Sequence, residues 1–224
     1  MDCYSNIRKQ IVEIGKRMYD KNFVASNDGN ISVRLSDNRI MITPSGVSKG
    51  FMKKRDLCII DMSGNIISAG AKKPSSEYKI HLEVYRKRPE IYACVHAHPQ
   101  KATAFAVAGL KFDKLTLPEV IFSLGSIELA EYATPSSEGL SERVAEKISY
   151  TDALLLANHG ALTIGSDLED AYYKMETLEH FAAITIYARI LGGERALPET
   201  EKAHLFEIRK NVFGKAVPLC KENN

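Results

Sequence analysis

Two histidines one residue apart, His96-Ala97-His98, are the side chains whose type and spacing point most directly to chemistry. On a β-strand, residues i and i+2 face the same side, about 7 Å apart at their Cα atoms, so both imidazoles could hold one cation. Neutral imidazole suits zinc, and a catalytic zinc keeps one position open for water or substrate. An isolated pair of this kind is equally compatible with one histidine satisfied in the core and one solvated. His159 adds a third nitrogen donor. It follows the apolar run Ala153 to Ala157 and precedes Gly160, where a side chain can project from a sheet edge without crowding. Glu77 lies near a predicted helix start. Its carboxylate could ligate the metal, act as a base, or simply sit well in the helix dipole.

A second constellation comprises Asn30, Ser45-Gly46 and Ser75-Ser76, each in a turn or at a helix start. Hydroxyls and unpaired N–H groups at a helix amino end can cradle a phosphate. Capping and turn chemistry would use the same residue types. Other candidates read as structural. Cys94 would share a strand face with His96 and His98, but reads as a buried thiol. His81 and His180 lie one helical turn after Glu77 and Glu176, a spacing that predicts surface pairing. Tyr172-Tyr173 and Phe181 read as helix packing.

These residues need elements to hold them. Ile7, Ile11, Ile14 and Met18 recur at spacings of four, three and four, which predicts an amphipathic helix. Ile31 to Leu35 and Arg39 to Thr43 flank Ser36-Asp37-Asn38 as a hairpin, and Leu57 to Asp61 and Asn65 to Ala69 flank Ser63-Gly64 as another. Pro74-Ser75-Ser76-Glu77 opens a helix to about Arg88, with Ser75 or Ser76 as its cap. Tyr92 to His98 and Ala153 to Ala157 read as strands. Further helices are predicted from about Glu138 to Ser149, Leu168 to Leu191 and Glu199 to Val212. Hairpins dominate the first third, so the expected architecture is α/β: one layered α/β/α domain over residues 1–224, its central sheet mixed and largely antiparallel and covered by helices.

Composition narrows the function classes. At 224 residues, 45% hydrophobic and 26% charged, the chain can bury a real core, which excludes disordered and fibrous classes. Thirty basic residues against twenty-eight acidic leave a net charge of +2, with no basic footprint for nucleic acid. No apolar run approaches the roughly 20 residues of a membrane span. Cys3, Cys58, Cys94 and Cys220 are widely spaced without a CxxC pair, the usage expected of reduced thiols in a cytoplasmic protein.

The ordered set Gly29-Asn30-Ile31-Ser32, Thr43-Pro44-Ser45-Gly46, Pro74-Ser75-Ser76-Glu77, His96-Ala97-His98 and Asn158-His159-Gly160 resembles the class II aldolase family, its fuculose-phosphate aldolases in particular. The resemblance spans most of the chain. It implies a cytoplasmic homotetramer that binds one Zn2+ per subunit, with Mn2+ or Co2+ as possible substitutes, and acts on a phosphorylated ketose. Residue by residue, it assigns His96, His98 and His159 to the metal, Glu77 to metal ligation and proton transfer, and Asn30, Ser45, Gly46, Ser75 and Ser76 to phosphate. The implied reaction is reversible aldol cleavage of a ketose 1-phosphate to dihydroxyacetone phosphate and a small aldehyde. The family's pentulose-phosphate 4-epimerases generally carry Asp where this chain has Glu77, which favours the aldolases over them; dehydratases and decarboxylases are the other family reactions. The chain departs from the pattern where the fuculose enzymes use tyrosines: Phe122 and Phe213 stand at the roughly aligned positions. A different acid, water or a displaced Tyr132, must then serve, or the substrate differs.

Overall fold

The computed structural model describes residues 4–35, 38–70 and 72–213. Cys3, Cys220 and most of the turn read at Ser36-Asp37-Asn38 fall outside that range. Eight strands form one sheet in the order β4-β3-β2-β1-β5-β8-β7-β6. These are β1 (Asn30–Arg34), β2 (Arg39–Ile42), β3 (Cys58–Asp61), β4 (Ile66–Ser68), β5 (Ala93–Ala97), β6 (Ile127–Ala130), β7 (Ala153–Leu156) and β8 (Gly160–Gly165). Every neighbouring pair is antiparallel except β6 and β7. The sheet is therefore mixed and largely antiparallel, as expected.

Alternation along the strands sends side chains to two separate cores. Met41, Ile59, Val95 and Leu155 join one apolar cluster, while Ile40, Ile42, Ile60, Cys94 and Leu154 join the other. This is the period-two geometry of a sheet covered on both faces. Against the first face pack α1 (Ser5–Asp20), through Ile11, Ile14 and Met18, together with α3 (Gln100–Ala108) and α6 (Leu168–Ile190). Against the second pack α2 (Tyr78–Lys87) and α5 (Glu138–Ile148). The helices α4 (Pro118–Ser123) and α7 (Glu199–Phe213) complete the described residues. No helix among these residues is long and apolar enough to cross a membrane.

Several details differ from expectation. The cap of α2 is Glu77 itself, with no side-chain capping bond, and the Ser75 hydroxyl accepts the Glu77 N–H at 3.4 Å. His98 lies one residue beyond β5, where its N–H bonds the Phe23 carbonyl, so the HxH pair straddles a strand end. His159 occupies the turn between β7 and β8 in mid-sheet, at strand ends rather than at a sheet edge. The elements α3, α4, β6 and β8 have no counterpart in the sequence pattern: α4 and β6 are too short to show a period, α3 mixes small and apolar residues, and β8 is buried along its whole length.

Candidate metal centre and anion pocket

Strand register builds the site. β1 and β5 pair so that Asn30 stands opposite His96, and β5 and β8 pair Ala97 with Ala161, which brings the β7–β8 turn and His159 beside the end of β5. The imidazole nitrogens of His96, His98 and His159 all lie within 4.8 Å of one another. His96 Nδ1 donates to the Ala161 carbonyl at 2.9 Å, which leaves Nε2 as its lone-pair nitrogen. His98 presents Nδ1 to Asp28 at 3.5 Å and turns Nε2 to within 3.3 Å of His96 Nε2. The carbonyl behind His96 and the carboxylate behind His98 are the outer support that metal-binding histidines characteristically have, whereas His159 Nδ1 is buried without a partner.

Glu77 reaches into this cluster from the start of α2. Its Oε2 lies 3.3 Å from His96 Nε2 and its Oε1 lies 3.2 Å from His159 Nε2. Burial opposes ionisation of Glu77, but the imidazoles of His96 and His159 outweigh it and hold the carboxyl well below the usual carboxylate range. Burial depresses His98 first and its two imidazole neighbours next, bringing it down to about 4. His96 is raised: burial lowers it, and the Glu77 carboxylate more than compensates.

Two observations test the fit to a cation. Four donors around zinc at about 2.0–2.1 Å form a tetrahedron whose edges are about 3.3–3.4 Å, and three contacts here, His96 Nε2 to His98 Nε2, His96 Nε2 to Glu77 Oε2 and His159 Nε2 to Glu77 Oε1, are 3.2–3.3 Å. Moreover, Glu77 Oε1 is buried with no hydrogen-bond partner despite its closeness to His159, as a lone pair aimed at a shared centre would be. The donor set of imidazole and carboxylate fits a divalent transition ion. Cys94 is not among these donors. It is wholly buried, and burial pushes its thiol up to about 12.

Beside the imidazoles lies a pocket of about 240 Å³ lined by Asn30, Ser45, Gly46, Ser75, Ser76, Glu77, His98 and His159, among others. It is assembled by a β-bridge between Pro44 and Pro74: the Ser45 N–H bonds the Lys73 carbonyl and the Ser75 N–H bonds the Thr43 carbonyl. Because those two amides are engaged, the hydroxyls are what Ser45 and Ser75 have left to offer a ligand, at the positive end of α2. The buried Lys49 ammonium, pushed down to about 8 by burial, donates to the carbonyls of Asn27 and Val47 and so ties the Asn27 turn to the Ser45-Gly46 loop.

The structure thus brings together every site residue expected from the sequence and adds others. Asp28, Pro135 and Ser136 line the pocket, and the Ser136 hydroxyl bonds that of Ser76 at 2.9 Å. Asp28 directly precedes the Gly29-Asn30 motif, whereas no motif marks Pro135 and Ser136, which a distant turn carries. His81 overturns its expected role as a surface partner of Glu77. It is completely buried, bonded to Asn30 and Ser32, because its face of α2 lies against β1. Phe122 sits half-buried on α4 with its carbonyl bonded by Arg209, and Tyr132 is largely exposed. Neither lines the pocket in the single chain. The Phe213 side chain lies outside the described residues.

With this geometry in hand, residues 9–186 match the family described as Class II Aldolase and Adducin N-terminal domain. An L-fuculose phosphate aldolase of Methanococcus maripaludis is 39% identical over 175 residues, 78% of this chain and 93% of that relative. A 3-oxo-tetronate 4-phosphate decarboxylase of Haemophilus influenzae is 35% identical over 185 residues, 79% and 85% of the two chains. Among solved structures, an L-fuculose 1-phosphate aldolase superposes with a TM-score of 0.84 at 31% identity, covering 92% of this chain and 97% of that one.

Proposed function

The chain belongs to the class II aldolase and adducin N-terminal domain family, and from that premise we propose that it is a zinc-dependent lyase of ketose 1-phosphates. It cleaves L-fuculose 1-phosphate or a related deoxy- or methylthio-pentulose 1-phosphate reversibly to dihydroxyacetone phosphate and a small aldehyde. In this reading residues 1–224 are one domain of a cytoplasmic homotetramer. The observation that carries it is the contact of one carboxylate, Glu77, with two imidazoles of a three-histidine cluster, on the rim of a serine-lined pocket at a helix amino end.

His96, His98 and His159 would hold the ion, Zn2+ in preference to Mn2+ or Co2+ for its affinity for nitrogen donors, with Glu77 as the fourth donor until substrate enters. Such an ion supplies a Lewis acid that draws electron density from the ketose carbonyl and adjacent hydroxyl. The chain's own residues do the rest. The hydroxyls of Ser45, Ser75 and Ser76, the Gly46 backbone and the Asn30 amide bind the phosphate, and that remote binding energy fixes the three-carbon unit in place. In cleavage the bond between C3 and C4 breaks with its electron pair left on C3, and the C4 hydroxyl gives up its proton as the aldehyde forms. The Glu77 carboxylate takes up, through water, the proton released in that step and delivers it to C3, and in the condensation direction removes it. Phe122 has no proton to exchange, so the C4 hydroxyl proton leaves through water, directly or relayed by a displaced Tyr132.

The test is a screen of ketose 1-phosphates with zinc-loaded protein, read by coupled reduction of dihydroxyacetone phosphate. Turnover should vanish on chelation and return with zinc. Glu77→Ala should keep zinc on its three imidazoles and lose on the order of 10²–10⁴-fold in turnover, the range for a positioned acid–base group. Unchanged turnover in that variant would remove Glu77 from the chemistry. The second reading, decarboxylation of a 3-oxo acid phosphate, is supported by the Haemophilus relative and by Phe122. Release of carbon dioxide in place of dihydroxyacetone phosphate would select it; loss of water or an unchanged mass would select dehydration or 4-epimerisation. A non-catalytic, adducin-like role is disfavoured by the complete donor set, and stoichiometric zinc in the purified protein would count against it.

A further inference from the structure

Beneath the site runs a buried polar seam that the proposed chemistry does not use. On α2, Glu77, His81 and Tyr85 recur at intervals of four and form one stripe; on β1, Asn30 and Ser32 alternate onto one face. The two stripes interdigitate. Tyr85 Oη lies 2.7 Å from Ser32 Oγ, Ser32 Oγ lies 2.7 Å from His81 Nδ1, His81 Nε2 lies 2.5 Å from Asn30 Oδ1, and Asn30 Nδ2 donates to Glu77 Oε2 at 2.8 Å. Asn30, Ser32, His81 and Tyr85 are all 2% exposed or less.

The direction of every bond is determined from the Glu77 end. An ionised carboxylate only accepts, so Asn30 turns its NH2 group toward Glu77 and its carbonyl oxygen toward His81. His81 must then be the Nε2–H tautomer, its Nδ1 accepts from Ser32, and Ser32 accepts from Tyr85. We propose that His81 is a positioning residue: its Nε2–H locks the Asn30 amide with both N–H bonds toward the pocket. A flipped amide would set Oδ1 against the Glu77 carboxylate and against an incoming phosphate. His81 thereby gives the pocket its donor face and steadies Glu77 without touching substrate. This role rests on the anion pocket and the Glu77 chemistry proposed above.

The test separates the two ring nitrogens. Gln can reproduce the Nε2 donor and Asn only the Nδ1 position, so the zinc-loaded His81→Gln and His81→Asn proteins are compared with the unaltered one. Inorganic phosphate binding is followed by calorimetry, kcat and KM by dihydroxyacetone phosphate release, and zinc content alongside. His81→Gln should stay within about threefold of the unaltered protein. His81→Asn should lose about tenfold or more in phosphate affinity and in kcat, with zinc stoichiometry intact. Equal behaviour of the two variants, or phosphate affinity in His81→Asn matching the unaltered protein, would overturn the proposal. Should either variant fail to fold, nitrogen-15 spectra of histidine-labelled unaltered protein still decide: the Nε2–H tautomer of His81 is required, and the Nδ1–H tautomer would refute it. Phosphate binding and the tautomer can be read even if no ketose phosphate is turned over, so failure of the proposed activity is distinguishable from failure of this one.

Discussion

Gly160→Ala converts a backbone contact into a test of the proposed metal centre. Gly160 opens β8 directly after His159, and a Cβ there would lie 2.5 Å from the Ala97 carbonyl oxygen and 2.5 Å from His98 Cδ2. Ordinary contact begins about 1 Å farther out, so in a close-packed interior either β5 and β8 separate or the His98 ring moves by about that distance. Metal sites tolerate ligand displacements of only about 0.2 Å, so the cheaper motion, that of the ring, takes His98 out of range. Overpacking itself costs about 1–3 kcal/mol of fold stability. Loss of one imidazole should weaken zinc on the order of 100-fold, about 2.7 kcal/mol. Competition with a fluorescent zinc chelator measures the second effect and thermal unfolding of the metal-free protein the first. Gly109→Ala is the control. It has positive φ and open space around its Cβ position, so it should cost stability through backbone strain alone and leave zinc affinity unchanged. Native zinc affinity in Gly160→Ala would refute the claim that this glycine keeps room for His98.

Three more outcomes follow from the same geometry. Asp152, 2% exposed, pairs with Arg88 at 3.1 Å, Lys174 at 3.0 Å and Arg209 at 2.9 Å, at the opposite end of β7 from His159. Asp152→Ala leaves buried cations facing one another and should cost about 3–5 kcal/mol, read as a fall of roughly 10 °C in melting temperature; a shift under about 2 °C would contradict the network's importance. Burial, and secondarily His96, brings His81 down to about 3 from 6.5, so between those values the unfolded chain binds a proton that the folded chain refuses. Stability from neutral His81 is thus complete above pH 6.5 and declines by about 1.4 kcal/mol per unit as pH falls toward 3. Urea midpoints of chelated protein should show this slope shrinking in His81→Gln; an identical slope in both proteins would place the acid sensitivity elsewhere. Lys49→Met, which removes the donor linking Asn27 and Val47, should loosen the pocket rim and raise KM severalfold with zinc content unchanged, and an unaltered KM would show that the rim needs no such tie.

Some of this molecule could be read from its chain alone. The hairpins announced themselves through alternation and turn residues, the long helices through their periods, and the imidazoles, Glu77 and the serines through type and order, because each signal is carried by neighbouring residues. What only folding decided lies between segments. β8, buried along its whole length, lacks a period, and β6 is too short to show one; Ser136 reaches the pocket from a turn with no motif of its own. His81 shows the difference most clearly. Its spacing from Glu77 suggested a solvated pair, yet the register of β1 against β5 and the seating of α2 on that face place it over Asn30 and Ser32, away from water. A side chain's partners across a sheet depend on which strand lies beside it and at what offset, and those are properties of long-range packing that no local pattern encodes.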